Sequence, residues 1–234
     1  MRTHDVNNWS RMAAAVLTAA LSATSGADTI TETSDVGPRP ASALWTEGNA
    51  ALTLIAGWIE SAADADTFAI YINDPAAFSA NTTGSAVFDT QLFLFDQNGF
   101  GIAANDDIRN GSDGYDPRSA LPVHSIPGLV TPGIYYLAIS SWDYDPHSDA
   151  GAIFTDDAAY NAVVFNNGPG GAAPVSGWDG NGGLNGALGA YQIALSGATL
   201  IPSVPEPGAI ALISIGVIGC CARRLSVLDS SAAG

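Results

Sequence analysis

Apolar positions along this chain gather in short bursts, not in long stripes. Residues 51–55 (ALTLI), 67–72 (TFAIYI), 90–95 (TQLFLF), 100–104 (FGIAA), 133–140 (GIYYLAIS) and 191–200 (YQIALSGATL) are apolar, β-branched or aromatic in character. Gly, Asn, Asp and Pro punctuate the gaps, and no long segment between the two ends keeps a helical period. Bursts of this length bounded by turn formers predict strands, and several in succession predict an all-β sandwich. The clearest hairpin is 91–105, where Asp96-Gln97-Asn98-Gly99 separates two apolar runs. Asn-Gly tolerates positive φ at both positions, so Asp96 and Asn98 are expected to serve the turn.

The two ends break this pattern. Residues 12–21 (MAAAVLTAAL) follow Arg2 and Arg11, and Ser25-Gly26-Ala27 places small residues before Asp28. An apolar run of about 10 residues is too short for a permanent span, so 1–27 predicts a secretory signal helix for signal peptidase. Cleavage after Ala27 and cleavage after Ala23 are both open. At the other end, residues 208–222 are all apolar or small and are followed by Arg223 and Arg224. As a helix this stretch is about 22 Å long against a hydrocarbon core of about 30 Å, a short transmembrane stop. The Arg pair would stay on the cytoplasmic side. Pro205 and Pro207 hold Glu206 extended, because a residue before proline avoids the α region.

Val204-Pro205-Glu206-Pro207, the Gly-containing apolar segment and Arg223-Arg224 together resemble the PEP-CTERM sorting signal of Gram-negative bacteria. The resemblance covers 203–224. It implies recognition and cleavage by an exosortase, in bacteria that make extracellular polysaccharide. Two features depart from the pattern: a tail, 225–234, follows the Arg pair, and Cys220 and Cys221 lie in the apolar segment. Those cysteines read either as lipid acceptors or as small apolar helix residues.

Composition narrows the body. The 26 Gly and 13% charged residues of the whole chain suit short strands joined by turns. There is no Lys, and from Asp28 to Ser203 three Arg (Arg39, Arg109, Arg118) face 20 acids, a net −17. Such a surface repels phosphate backbones, which excludes nucleic acid as a partner. It fits a soluble exported protein or a collector of divalent cations, with solubility the simpler explanation. The only cysteines are the two in the tail, so the body has no disulfide available.

The acids cluster. Asp64 and Asp66 sit two apart before a strand, Asp89 precedes another, and Asp106-Asp107 ends the hairpin. Asp113 and Asp116, then Asp143, Asp145 and Asp149, follow in later loops. Ca²⁺ takes six to eight oxygen ligands, which such loops supply if they converge. The EF-hand pattern is not met, and turn capping accounts for many of these Asp without a metal. If Ca²⁺ binds, the expected ligands are Asp64, Asp66, Asp89, Asp106 and Asp107. The segments "DADTFAIYI", "DTQLFLFDQNGFGIAANDD" and "PGIYYLAIS" also resemble the bacterial pre-peptidase C-terminal type of β-sandwich, over roughly 51–141. That resemblance implies a jelly-roll-like accessory module of secreted proteins. The Gly-rich stretch 166–189 holds Trp178, and Trp142 and Tyr144 lie in "SWDYDP". Each of these rings would either stack on a sugar or fold back onto the sandwich.

No G-x-S-x-G, H-E-x-x-H or zinc-type Cys/His spacing occurs, and His124 and His147 stand in Pro-containing loops, where a lone His is expected simply to be solvated. Carboxylates for glycoside hydrolysis are present in number, which in an Asp-rich chain selects none of them. The expected organisation is a signal peptide at 1–27, an extended segment at 28–44, a jelly-roll-like β-sandwich at 45–202, the sorting signal at 203–224 and a tail at 225–234. The expected function is non-catalytic, structural or adhesive, at the cell surface or in a polysaccharide-rich matrix or biofilm. Two other classes compete: a carbohydrate-binding module stacking sugars on Trp142, Tyr144 and Trp178, and a secreted hydrolase using a carboxylate pair.

Overall fold

The computed structural model describes residues 26–202 apart from 83, 85, 111–113, 156–160 and 181–187. Its strands in chain order are β1 (Ala27–Thr31), β2 (Leu44–Trp45), β3 (Ala51–Ile59), β4 (Ala65–Ile72), β5 (Ser79–Asn81) and β6 (Thr90–Phe95). They continue with β7 (Gly101–Asn105), β8 (Ile108–Asn110), β9 (Gly114–Asp116), β10 (Ala120–Leu121), β11 (Gly133–Ser141) and β12 (Tyr144–Ser148). The last are β13 (Gly151–Ala152), β14 (Val164–Phe165), β15 (Gly177–Gly180), β16 (Gly189–Ser196) and β17 (Ala198–Thr199). Among the described residues the only helix is a 3₁₀ turn at Pro40–Ser42, and none is long and apolar enough to cross a membrane. The signal helix and the short transmembrane helix expected at the two ends lie outside the described residues.

Twelve strands form one curled sheet in the order β10-β5-β16-β3-β17-β4-β11-β6-β7-β14, with β1 beside β3 and β2 beside β4. The β1–β3 and β2–β4 pairings are parallel; along the main path the pairings are antiparallel. Short β17 pairs with both β3 and β4 and so joins the two halves of the curl. The halves face each other across one core. Leu52, Ile55 and Ile59 of β3 and Tyr191, Ile193 and Leu195 of β16 meet Phe68, Ile70, Leu92, Leu94, Leu137 and Ile139 from β4, β6 and β11.

The burst-like sequence pattern has a physical cause here. β4, β6 and β11 are covered on both faces, so nearly every residue in them is buried and they read as continuous apolar runs. Their outer face carries a second cluster, in which Phe93, Phe95, Ala104 and Tyr136 pack against Ile153 and Phe154 of the loop layer. β16 has one open face and alternates strictly between buried and exposed. The 91–105 hairpin forms as predicted, and Asp96 Oδ1 accepts the N–H groups of Asn98 (2.8 Å) and Phe100 (2.9 Å). Only Gly99 takes positive φ, however, at 83°. The turn therefore closes on Gly99 N–H donating to Asp96 C=O, with glycine in its fourth position, and does not use an Asn-Gly primed pair.

Candidate functional site

The five Asp expected as calcium ligands all lie at one end of the sheet, before β4, at its start, before β6 and after β7. The turn between β3 and β4 is held by Asp64, whose Oδ2 accepts Glu60 N–H at 2.7 Å. Two residues on, Asp66 is the second residue of β4 and points inward, 0% exposed. Tyr191 of β16 donates its hydroxyl to Asp66 Oδ2 at 2.6 Å. Opposite it in register is Gly57 of β3. A Cβ at Gly57 would lie 2.3 Å from the Tyr191 hydroxyl and 2.4 Å from Glu32 Oε2, so glycine is what lets the two groups approach.

Glu32 arrives from the N-terminal strand. After β1 pairs alongside β3, Glu32 N–H donates to Ala56 C=O at 2.9 Å. Its carboxylate then accepts Trp58 N–H (2.9 Å, Oε2) and Val36 N–H (3.2 Å, Oε1). Further along this arm, Thr67 N–H donates to Gly37 C=O at 3.2 Å, which folds residues 32–37 across the start of β4. An oxygen each from Glu32, Asp35 and Asp66 then lie within 4.8 Å of one another. Thr31, Glu32, Asp35, Trp58, Glu60 and Tyr191 are among the residues around an open cavity of about 550 Å³. Trp58 is 54% exposed at its rim.

The electrostatics of this group are those of crowded, desolvated carboxylates. Burial pushes Asp66 from its ordinary 3.8 up to about 8; the Tyr191 hydroxyl pulls the other way, and Glu32, Asp64 and Asp35 add repulsion. Burial likewise raises Glu32 and Asp64 against the lowering pull of their backbone donors. Tyr191 is raised by burial and by the neighbouring Asp66 carboxylate, so it stays a neutral donor.

A second group lies about 10 Å across the sheet, because β6 is separated from β4 by β11. There Asp89, just before β6, meets Asp106 and Asp107, just after β7, with one oxygen each within 4.8 Å of one another. The five Asp expected to share one calcium site are thus divided: Asp66 joins Glu32 and Asp35, Asp64 stays in the neighbouring turn, and Asp89, Asp106 and Asp107 form their own group. Glu32, Asp35, Tyr191 and Trp58 went unread as site residues. The acid-containing arm Thr31-Glu32-Thr33-Ser34-Asp35 was the signal that could have found two of them.

The three aromatic candidates separate as well. Trp178 of β15 folds back onto the sheet: its Nε1–H donates to Pro38 C=O at 2.6 Å and its ring meets Phe93 edge-on at 5.2 Å. Tyr144 stacks on Trp178 at 5.8 Å. Trp142 is exposed, and its backbone N–H donates to Asp89 C=O at 3.1 Å. His147 is a strand residue of β12, paired with Ala152 and Gly177, and not a solvated loop histidine.

The family described as the PEP-CTERM protein-sorting motif matches residues 203–224. Val204, Pro205, Glu206, Pro207, Arg223 and Arg224 all fall in that span, outside the described residues. No curated protein matches the chain. The motif implies an exported, membrane-anchored precursor with an exosortase as its processing partner.

Proposed function

We propose that the sorted body is a non-catalytic, jelly-roll-like β-sandwich of the pre-peptidase C-terminal type. It serves a structural or adhesive role at the Gram-negative cell surface or in a polysaccharide-rich biofilm matrix. The observation that carries this is the join between body and signal. Ile201 N–H donates to Thr46 C=O and Gly48 N–H donates to Ile201 C=O, so the fold stays paired to within two residues of the matched span 203–224. A body packed up to its sorting signal is suited to delivery as one folded unit, with no catalytic appendage between them. The tie-up of Tyr144 and Trp178 in packing favours a structural role over a three-ring sugar platform, to which only Trp142 remains freely exposed.

The test is expression in a Gram-negative host with and without its exosortase, followed by mass spectrometry of the surface and extracellular fractions. The expected product carries a new C-terminus near Val204–Pro207 and appears only when the exosortase is present. Extracellular protein that is intact through Gly234 would overturn the sorting assignment. A deletion strain that builds normal biofilm would overturn the matrix role.

A further inference from the structure

The outer face of β3 and β16 carries an aromatic ring that the fold does not cover. Trp58 is 54% exposed, more than Trp45, Trp142 or Phe165. Ile55 and Ile59 point into the core, so Ala56 and Trp58 alternate onto the open face. Ala190 stands opposite Trp58 in register and Gln192 opposite Ala56, which makes Gln192 the diagonal neighbour of the ring. The indole thus rises among alanines, beside one amide. Its base is held still: β3 is paired with both β1 and β16, and Trp58 N–H donates to Glu32 Oε2 at 2.9 Å. A single exposed apolar side chain is ordinary. This one borders a cavity of about 550 Å³, within the size range of small-ligand sites. The rest of that border is polar, with Thr31, Thr33, Ser34, Asp35, Glu60 and Gln192 among its residues.

The geometry points to a saccharide subsite on this face, which takes an uncharged pyranose unit of a polysaccharide against the Trp58 ring. A pyranose has one C–H face and a rim of hydroxyls. Its C–H bonds carry slight positive charge and suit the negative face of an indole. Its hydroxyls both donate and accept, which matches a border of carboxylates, hydroxyls and an amide. Charge narrows the class: three Arg face 20 acids between Asp28 and Ser203, and Asp35 and Glu60 stand at the cavity itself, so a uronate or sulfated chain is repelled. One ring amid polar groups is too little apolar surface for a protein partner, whose interface core needs several buried anchors. A strand locked on both sides is also pre-organised, so little ordering is lost on binding. The site is distinct from Tyr144 and Trp178, whose rings are already spent on packing. The inference rests on the adhesive, polysaccharide-linked role proposed above. Its test is made on purified protein, so a failed titration and a failed sorting or biofilm result are read separately.

Isothermal titration calorimetry of the full chain, purified in detergent, tests it with cellohexaose, laminarihexaose, maltohexaose and mannohexaose, and with hexagalacturonate as the anionic counterpart. At least one neutral hexasaccharide is expected to bind, and hexagalacturonate is not. Trp58→Ala, on an exposed residue whose backbone bonds are kept, is expected to weaken binding about tenfold or more. Gln192→Ala, from the other strand, is expected to weaken it several-fold, and Trp142→Ala, an exposed ring elsewhere, to bind as the wild type does. No heat with any neutral hexasaccharide at millimolar ligand would overturn the proposal. So would unchanged affinity in Trp58→Ala, or in Gln192→Ala should Trp58→Ala fail to fold. Loss of binding in Trp142→Ala, binding of hexagalacturonate, or displacement of the sugar by Nα-acetylargininamide, which would mark a cation site, would each overturn it as well.

Discussion

Asp66 makes the stability of the metal-free body depend on pH in an unusual direction. A paired surface carboxylate loses stabilisation in acid, but Asp66 is desolvated among Glu32, Asp35 and Asp64, with no basic residue among the charges acting on it, and its carboxyl is pushed up to about 8. The folded protein therefore holds this proton more tightly than the unfolded chain does. Below about pH 4 both states are protonated and the group is neutral to folding. From there to about pH 8 the unfolded chain gives up the proton while the native state keeps it, so stability falls as pH rises. One proton corresponds to about 1.4 kcal/mol per pH unit, an accumulated loss on the order of 4 kcal/mol at pH 7. That is a large fraction of the roughly 5–15 kcal/mol of a typical domain. Asp66→Asn keeps the shape and an oxygen for Tyr191 but cannot titrate. Urea unfolding in EDTA at pH 5, 6 and 7 is expected to show the wild type losing stability with pH, and the variant losing about 1.4 kcal/mol less per unit. Glu32 and Asp64 are raised as well and leave a residual slope in both proteins. Parallel slopes for the two proteins would refute the assignment of a buried, proton-holding Asp66.

Three further outcomes are expected. Gly57→Ala drives a methyl into the Tyr191 hydroxyl and Glu32, and overpacking of this kind should cost about 1–3 kcal/mol in denaturant unfolding; an unchanged midpoint would mean the Tyr191–Asp66 contact is not tight. Leu137→Ala removes a fully buried side chain from the central strand β11 and should cost about 2–5 kcal/mol, read as a lower urea midpoint at constant slope. Trp178→Phe keeps a ring against Phe93 but strips the donor from Pro38 C=O; a loss of about 1 kcal/mol is expected by thermal melting, and no loss would mean water replaces the bond freely.

The strands that the sequence announces are those buried on both faces. β4, β6 and β11 are continuous apolar runs because neither face meets water, and all three appear where the bursts place them. β12 (YDPHS) and β15 (GWDG) were illegible because they form a small separate sheet whose residues are polar, Pro or Gly. β1 (ADTIT) is short and largely exposed, and only its pairing with β3 reveals it. The same limit governs the acids. The Asp64–Asp66 spacing is visible in the chain, but Glu32 reaches Asp66 through a parallel pairing, and Tyr191 comes from 125 residues away. The Gly-rich stretch was visible as glycine and not as packing. A Cβ at Gly170 would sit 2.0 Å from Gly151 C=O, so there glycine permits close backbone approach.

The chain leaves the body beside the beginning of β3, where Leu200 N–H donates to Ala50 C=O, whereas Trp58 and Glu32 meet at that strand's other end. The strand puts about 25 Å between the two. The end of the body that joins the matched sorting span and the pole where Glu32, Asp35 and Asp66 gather are thus separated by the full length of one strand, so the segment leaving at Ile201 does not start beside those carboxylates.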